Sequence, residues 1–341
     1  MKQSRLTAFA LVSLLLFIGC AEGNAATSGQ SLRLGYFPNV THATAIVGVV
    51  NGTFARSLGS GTTLQTVTFN AGPEAVEALF AGSIDATYIG PNPSINAFIK
   101  SNGQAVRIIA GATSGGAFLV VRDGIDSADD LRGKKVASPQ LGNTQDVALR
   151  SWLASQGMAT DAQGGGDVSI TPQANSQTLD TFRQGQVDGA WVPEPWATQL
   201  INAGGHVLVD ERDLWPDGKY VTTLLIVRTE FLTAQPDVVK RLLQAHVEAT
   251  DYVSANAGAA QAAVATDIGR ISGSTVAPAV LAGAWSNLTF TVDPIASSLQ
   301  KSADSAQELG FLQTSDLDGI FDLTLLNEVL RESGKAEVVA P

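Results

Sequence analysis

The sequence predicts an α/β protein of two lobes with a ligand cleft between them. Residues 71–90 align without a gap on residues 174–193, at an offset of 103, so that Gly82 falls on Gly185, Ile84 on Val187, Asp85 on Asp188 and Tyr88 on Trp191. Upstream, residues 32–37 and 135–138 each read as a strand running into a polar loop, Pro38-Asn39-Val40-Thr41-His42 and Pro139-Gln140-Leu141-Gly142-Asn143-Thr144, at the similar offset of 101. Internal repetition of this kind is the mark of a duplicated structural unit. The third observation is alternation: strand and helix patterns follow one another through both copies, which implies mostly parallel sheets with helices on both faces.

Taken in chain order, residues 1–19 read as an export signal. Lys2 and Arg5 give a positive start, residues 6–18 form an apolar run of 13, and small residues follow. That run is too short to span a membrane as a mature helix. Leu16-Phe17-Ile18-Gly19-Cys20 resembles a bacterial lipobox, with Phe17 standing where leucine is preferred, and Cys20 is the only cysteine in the chain. Cys20 is therefore expected to carry a lipid. Residues 20–30, small and polar, form a tether.

Residues 31–115 then make the first part of lobe 1, residues 116–220 lobe 2, and residues 221–341 the return to lobe 1 with C-terminal helices. Within the repeat, Val76, Leu79 and Phe80, and again Leu179 and Phe182, line one face of a helix. Gly82 and Gly185 sit where a helix ends in a left-handed residue. Short β-rich runs follow at 84–89 and 187–192. Pro91-Asn92-Pro93 and Pro193-Glu194-Pro195 stop those strands and open the next helices. The apolar run 117–122, preceded by the flexible joint Ser114-Gly115-Gly116, reads as a strand crossing to the second lobe. The run 221–227 reads as the strand crossing back. From 231 onward the pattern is helix-rich, with a clear amphipathic start at Pro236. Two crossings between two α/β units describe a hinge, and ligands of open α/β sheets bind beyond the carboxyl ends of the strands.

Several segments in this order resemble one family, the substrate-binding proteins for aliphatic sulfonates, taurine and nitrate. They are Phe69-Asn70-Ala71-Gly72, Ala81-Gly82-Ser83-Ile84-Asp85-Ala86, Gly90-Pro91-Asn92-Pro93-Ser94, Asp130-Leu131-Arg132-Gly133-Lys134-Lys135-Val136 and Trp191-Val192-Pro193-Glu194-Pro195-Trp196. The resemblance implies a two-lobed periplasmic-binding-protein fold with a two-strand hinge. It also implies an extracytoplasmic, lipid-anchored component of an ABC importer, acting with permease and ATPase subunits and not as an enzyme. Within the class, nitrate or a pyrimidine or thiamine precursor is the alternative ligand. Outside it, a pyrimidine-synthase-like enzyme shares the fold but needs a cysteine-rich segment, and this chain has only Cys20.

The expected ligand contacts lie in loops that run into helix N-termini, where free N–H groups and the helix dipole favour anions. Asn39, Thr41 and His42 follow the first strand, Ala71 and Gly72 the second, Asn92 and Ser94 the third, and Gln140, Gly142, Asn143, Thr144 and Gln145 the fourth. Ser114 at the joint and Asn175 in the second copy complete the set. None of these loops carries Lys or Arg. A carboxylate ligand is commonly held by a bidentate Arg, whereas a fully ionised sulfonate can be satisfied by neutral amide and hydroxyl donors. The expected ligand is therefore a small organic anion, an alkylsulfonate or taurine. Trp191, which replaces Tyr88 in the repeat, is expected to wall the organic part. Glu194 would bind an ammonium, bridge the lobes, or stand as a solvated loop charge. Trp152 and Trp215 are expected in packing, and His206 and His246 receive no role.

Composition excludes other classes. The formal charge of −11, or −13 once Lys2 and Arg5 leave with the signal, opposes nucleic-acid binding. Three scattered histidines and one cysteine make no metal site. Asp85 and Asp188 each follow a turn and open a strand, so turn bonding explains them better than acid–base work. No nucleophile triad, phosphate loop or cofactor motif is present. A monomer needing no cofactor is expected.

Overall fold

The computed structural model describes residues 30–273 and 275–339. The expected signal, the lipidated Cys20 and all but the last residue of the expected tether lie outside the described residues.

Eleven strands are described: β1 (Gln30–Tyr36), β2 (Thr62–Thr68), β3 (Ala86–Ile89), β4 (Val106–Gly115), β5 (Ala117–Arg122), β6 (Lys135–Ser138), β7 (Ser169–Pro172), β8 (Gly189–Pro193), β9 (Gly205–Asp210), β10 (Val221–Arg228) and β11 (Leu288–Phe290). They form two sheets, ordered β11-β4-β10-β3-β1-β2 and β7-β6-β8-β5-β9. These are the two lobes of an α/β protein.

The repeat is visible in the topology. β1 pairs in parallel with β2 and β3, and β6 pairs in parallel with β7 and β8. The fourth strand of each sheet arrives from the other lobe. β5 follows β4 out of the first sheet and pairs antiparallel with β8, while β10 follows β9 out of the second and pairs antiparallel with β3. The sheets are thus mixed, not mostly parallel, because a strand entering from outside runs against the parallel set. The crossing also differs from expectation. β5 lies wholly in the second sheet and β10 wholly in the first. The chain changes lobe at Gly115 and Gly116, both with left-handed φ (80° and 74°), and again through the 3₁₀ turns of residues 211–218. A side chain at Gly116 would meet Leu288, so this corner needs glycine on two counts.

The repeated helices form largely for the reasons read from sequence, but Phe80, expected on the buried face, is exposed. Gly72–Phe80 buries Ala75, Val76 and Leu79, starts on Pro73 and ends before Gly82 at φ 64°. Asn175–Arg183 buries Thr178, Leu179 and Phe182 and ends before Gly185 at φ 73°. The proline loops diverge. Pro91 opens helix Pro91–Lys100 directly, whereas Pro193 is still in β8, opposite Ala117, and the next helix, Trp196–Asn202, begins only after Pro195.

Each sheet is covered on both faces, so its inner strands have apolar residues pointing both ways. Leu225 and Val227 of β10 pack with Leu32, Leu34 and Tyr36 beneath helices that include Ala43–Val50 and Pro236–Ala255. Leu224 and Ile226 face the opposite way, toward Leu79, Ile95 and Leu299. In lobe 2, Leu119 and Val121 point to one core and Phe118 and Val120 to the other.

The repeated aspartates have a larger role than turn bonding. Asp85 accepts from the backbone N–H of Arg33 at 2.8 Å, and Asp188 accepts from that of Lys135 at 2.8 Å. The backbone reciprocates: Asp85 N–H bonds Arg33 O and Asp188 N–H bonds Lys135 O, at 2.8 and 2.7 Å. Each aspartate therefore fastens the start of the third parallel strand to the first, at the middle of β1 and at the start of β6.

Candidate functional site

The carboxyl ends of the parallel strands in both lobes meet at a narrow cavity of ≈ 20 Å³. By volume this has room for about one water-sized sphere. Four helices start at it. Residues Val40–His42 form a 3₁₀ turn leading into Ala43–Val50, Gly90 precedes Pro91–Lys100, Asn143 precedes Thr144–Ser155, and Asn175 opens Asn175–Arg183. Two come from each lobe, so positive helix ends converge from both sides.

His42 is shaped into a neutral donor. Its Nδ1 accepts from the Phe37 backbone N–H at 3.3 Å, which leaves the proton on Nε2. Its ring stacks on Phe37 at 4.5 Å, and burial pushes its pKa down to about 3. Asn39 accepts from Trp196 Nε1 of the other lobe at 2.9 Å. The Thr144 hydroxyl and the Asn175 side-chain carbonyl are buried with no hydrogen-bond partner. Unsatisfied buried polar atoms are uncommon and destabilising, and here they sit at the cavity wall. Gly90 lets Thr144 close in: a Cβ there would lie 2.3 Å from the Thr144 hydroxyl. Among the described residues, those lining the cavity include no Lys, Arg, Asp or Glu.

Of the residues expected from sequence, Asn39, Thr41, His42, Asn143, Thr144 and Asn175 are brought together here. Gly72 lies just behind, where a side chain would collide with Pro93 and crowd Asn143. The others point elsewhere. Asn92 donates to Ser302 O at 3.2 Å, and Ser94 bonds back to Gly90 O at 2.8 Å within its helix. Ser114 is paired within the first sheet, opposite Val221 and Thr289. The Gln140 side-chain oxygen is buried without a partner, but Gln140 does not line the cavity.

Trp191 is a correction. It is fully buried in the lobe 2 core, with Nε1 donating to Glu211 at 2.7 Å. Its repeat partner Tyr88 is likewise core, bonded to His246 Nδ1 at 2.8 Å. The repeated aromatic is a core residue in both lobes and lines neither cavity, and in each a buried polar partner satisfies its tip. Glu194 is fully buried too. Its carboxylate accepts from Thr198 N and Oγ1 (3.1 and 2.9 Å) and, across the lobes, from Asn287 Nδ2 at 2.7 Å. Of the three options open to Glu194, the geometry is that of a lobe-to-lobe bridge, and burial raises its pKa.

Gln145, also expected from sequence, lines the cavity, as do Phe37, Asn70, Gly90, Pro193 and Thr222, which were not expected. Asn70, Gly90 and Pro193 sit in the family-like segments, a signal that could have found them. Thr222 begins an apolar strand and gives no such signal.

A second cavity, of ≈ 210 Å³, lies on the other side of Thr144. Trp152 and Trp215, expected only in packing, stand in its wall beside Val147 and Tyr220.

Residues 25–268 match the model of the NMT1-like family. A Brucella abortus (strain 2308) protein described as a binding protein is 30% identical over 243 residues, covering 67% of this chain and 73% of that one. The taurine-binding periplasmic protein of Escherichia coli (strain K12) is 27% identical over 215 residues, 62% of this chain and 63% of that one. Among solved structures, the alkanesulfonate-binding protein SsuA from Xanthomonas axonopodis pv. citri bound to MOPS superposes with a TM-score of 0.70 at 20% identity, over 84% of this chain and 96% of that one.

Proposed function

Because the chain belongs to the NMT1-like family, we propose that the polar cavity between its lobes captures the anionic head of an organic sulfonate for uptake. The protein is a solute-binding component of an ABC importer, working outside the cytoplasm with permease and ATPase subunits, and it is not an enzyme. The anion is the finer reading. One observation carries it: the partnerless Thr144 hydroxyl stands among four helix N-termini, with no charged side chain lining the cavity among the described residues. A weakly basic anion with three acceptor oxygens fits such a set of neutral donors. His42, which lines the cavity with its proton on Nε2, adds to them. A monomer held to the membrane by lipid on Cys20 completes the reading, and Cys20→Ser would then release the protein to the soluble fraction.

Nitrate is a second reading, favoured by the size of the polar cavity alone. Calorimetric titration of the purified protein with methanesulfonate, nitrate and acetate separates the two. Methanesulfonate is expected to bind, with acetate much weaker. Thr144→Ala is expected to weaken it about 5- to 150-fold, the equivalent of ~1–3 kcal/mol for a hydrogen bond to a charged group. Nitrate binding without methanesulfonate binding would reverse the choice, and an unchanged affinity in Thr144→Ala would remove the cavity from the site.

A further inference from the structure

The polar cavity has room for only about one water-sized sphere, so its walls must part to admit even a head group, and the space next to it is larger. Three segments pass from one cavity to the other. Gly90 lines the first while Pro91 and Asn92 line the second, Thr222 lines the first while Val221 lines the second, and Thr144 lines both. The larger cavity lies between the lobes. Helix Thr144–Ser155 of lobe 2 and helix Ala296–Glu308 of lobe 1 flank it, and the second crossing closes its end.

Its lining suits an apolar guest. A cavity of about 150 Å³ accepts benzene, and this one is larger, at ≈ 210 Å³. Trp152, Val147, Trp215 and Tyr220 supply apolar surface. The two charged residues at its edge are already engaged. Glu211 accepts from Trp191 Nε1 at 2.7 Å, and Lys301 donates to Leu214 O at 2.7 Å while its ammonium lies 4.6 Å from the centre of the Trp215 ring.

Resting on the sulfonate reading above, we propose that the ligand is a two-part molecule, whose sulfonate head sits in the polar cavity and whose aryl or branched alkyl tail passes Thr144 into the Trp152–Trp215 cavity. Thr144 is then the sill between head and tail. Its hydroxyl serves the head. Taurine and methanesulfonate fill only the first compartment and are the weaker ligands.

The test compares methanesulfonate with benzenesulfonate by calorimetric titration of the full-length protein. Benzenesulfonate is expected to bind at least about tenfold more tightly. Two substitutions alter the tail cavity from opposite directions: Ala148→Phe fills it from the helix and Trp152→Ala strips its wall. The readout in each is the ratio of the two affinities, which is expected to fall toward one. Either variant that folds decides the matter, since thermal unfolding reports folding independently. Equal affinity for the two sulfonates in the wild type, or an undiminished ratio in a folded variant, would overturn the tail site and leave the sulfonate reading standing. Binding of neither sulfonate would overturn both.

Discussion

At the scale of single residues, the site depends on groups kept neutral by burial, and His42 is the clearest case. Its imidazole is held down to about 3 in the folded protein against an ordinary 6.5. Above pH 6.5 neither folded nor unfolded chain protonates it, so it contributes nothing to pH dependence. Between about pH 6.5 and 3 the unfolded chain binds a proton that the folded chain refuses, and stability falls with pH at up to ~1.4 kcal/mol per unit from this residue. His246, lowered to about 4 by burial, acts in the same direction. Glu211, raised to about 7 by burial, acts in the opposite one, stabilising the fold as pH drops from 7 toward 4.5. Comparing His42→Asn with wild type cancels the other two. The variant is expected to gain stability relative to wild type as pH falls from about 6.5 to 4.5, measured by urea denaturation across that range. Parallel pH profiles would mean that His42 is not neutralised by burial.

At the scale of elements, the two copies are fastened by the same device at different depths. Asp85 is buried and holds the Arg33 side chain as well as its N–H, with Arg228 at 3.7 Å. Asp188 accepts from the Lys135 N–H at a more exposed position. Asp85→Ala is therefore expected to destabilise by about 2–3 kcal/mol and Asp188→Ala by about 1, because the first leaves a half-buried guanidinium without its carboxylate. Denaturation midpoints in the reverse order would refute this account. The same elements show what the sequence made legible. A helix, a glycine end and a strand recur at offset 103 because each copy must bury one helix face and turn sharply at Gly82 or Gly185. The loops feeding Asn39, His42, Asn143 and Thr144 into the cleft were legible for the same reason. Which way Trp191 points was not. In a strand buried on both faces every position is apolar, so the two-residue alternation that tells inside from outside vanishes. The partners that settle its direction, Glu211 for Trp191 and His246 for Tyr88, are 20 and 158 residues away. β11, three residues long at a sheet edge, left too little pattern to read.

At the scale of the whole molecule, the lobes are held closed by a few polar ties, of which the Ser151–Ser305 contact lies in the wall of the larger cavity and the Glu194–Asn287 bond lies outside both. Glu194 receives Asn287 at 2.7 Å and its carbonyl receives Val40 N–H at 3.2 Å, while Ser151 meets Ser305 at 3.3 Å. The Glu194–Asn287 bond joins lobe 2 to the segment between helix Pro278–Ser286 and β11 of lobe 1. Asn287 lines neither cavity, so its effect on binding must pass through closure. When only the closed form binds, apparent affinity scales with the closed fraction, whatever the ligand. Asn287→Ala leaves a buried carboxylate short of one donor, which penalises the closed state by about 1–3 kcal/mol. It is expected to weaken methanesulfonate and benzenesulfonate by the same factor, up to about 150-fold. The ratio of the two affinities stays constant, and the unliganded protein shows a larger radius of gyration in small-angle scattering. That pattern is the opposite of the one expected for Ala148→Phe, where the ratio changes. If Asn287→Ala altered one ligand's affinity and not the other's, the Glu194–Asn287 tie would be acting on the site itself and not on the hinge.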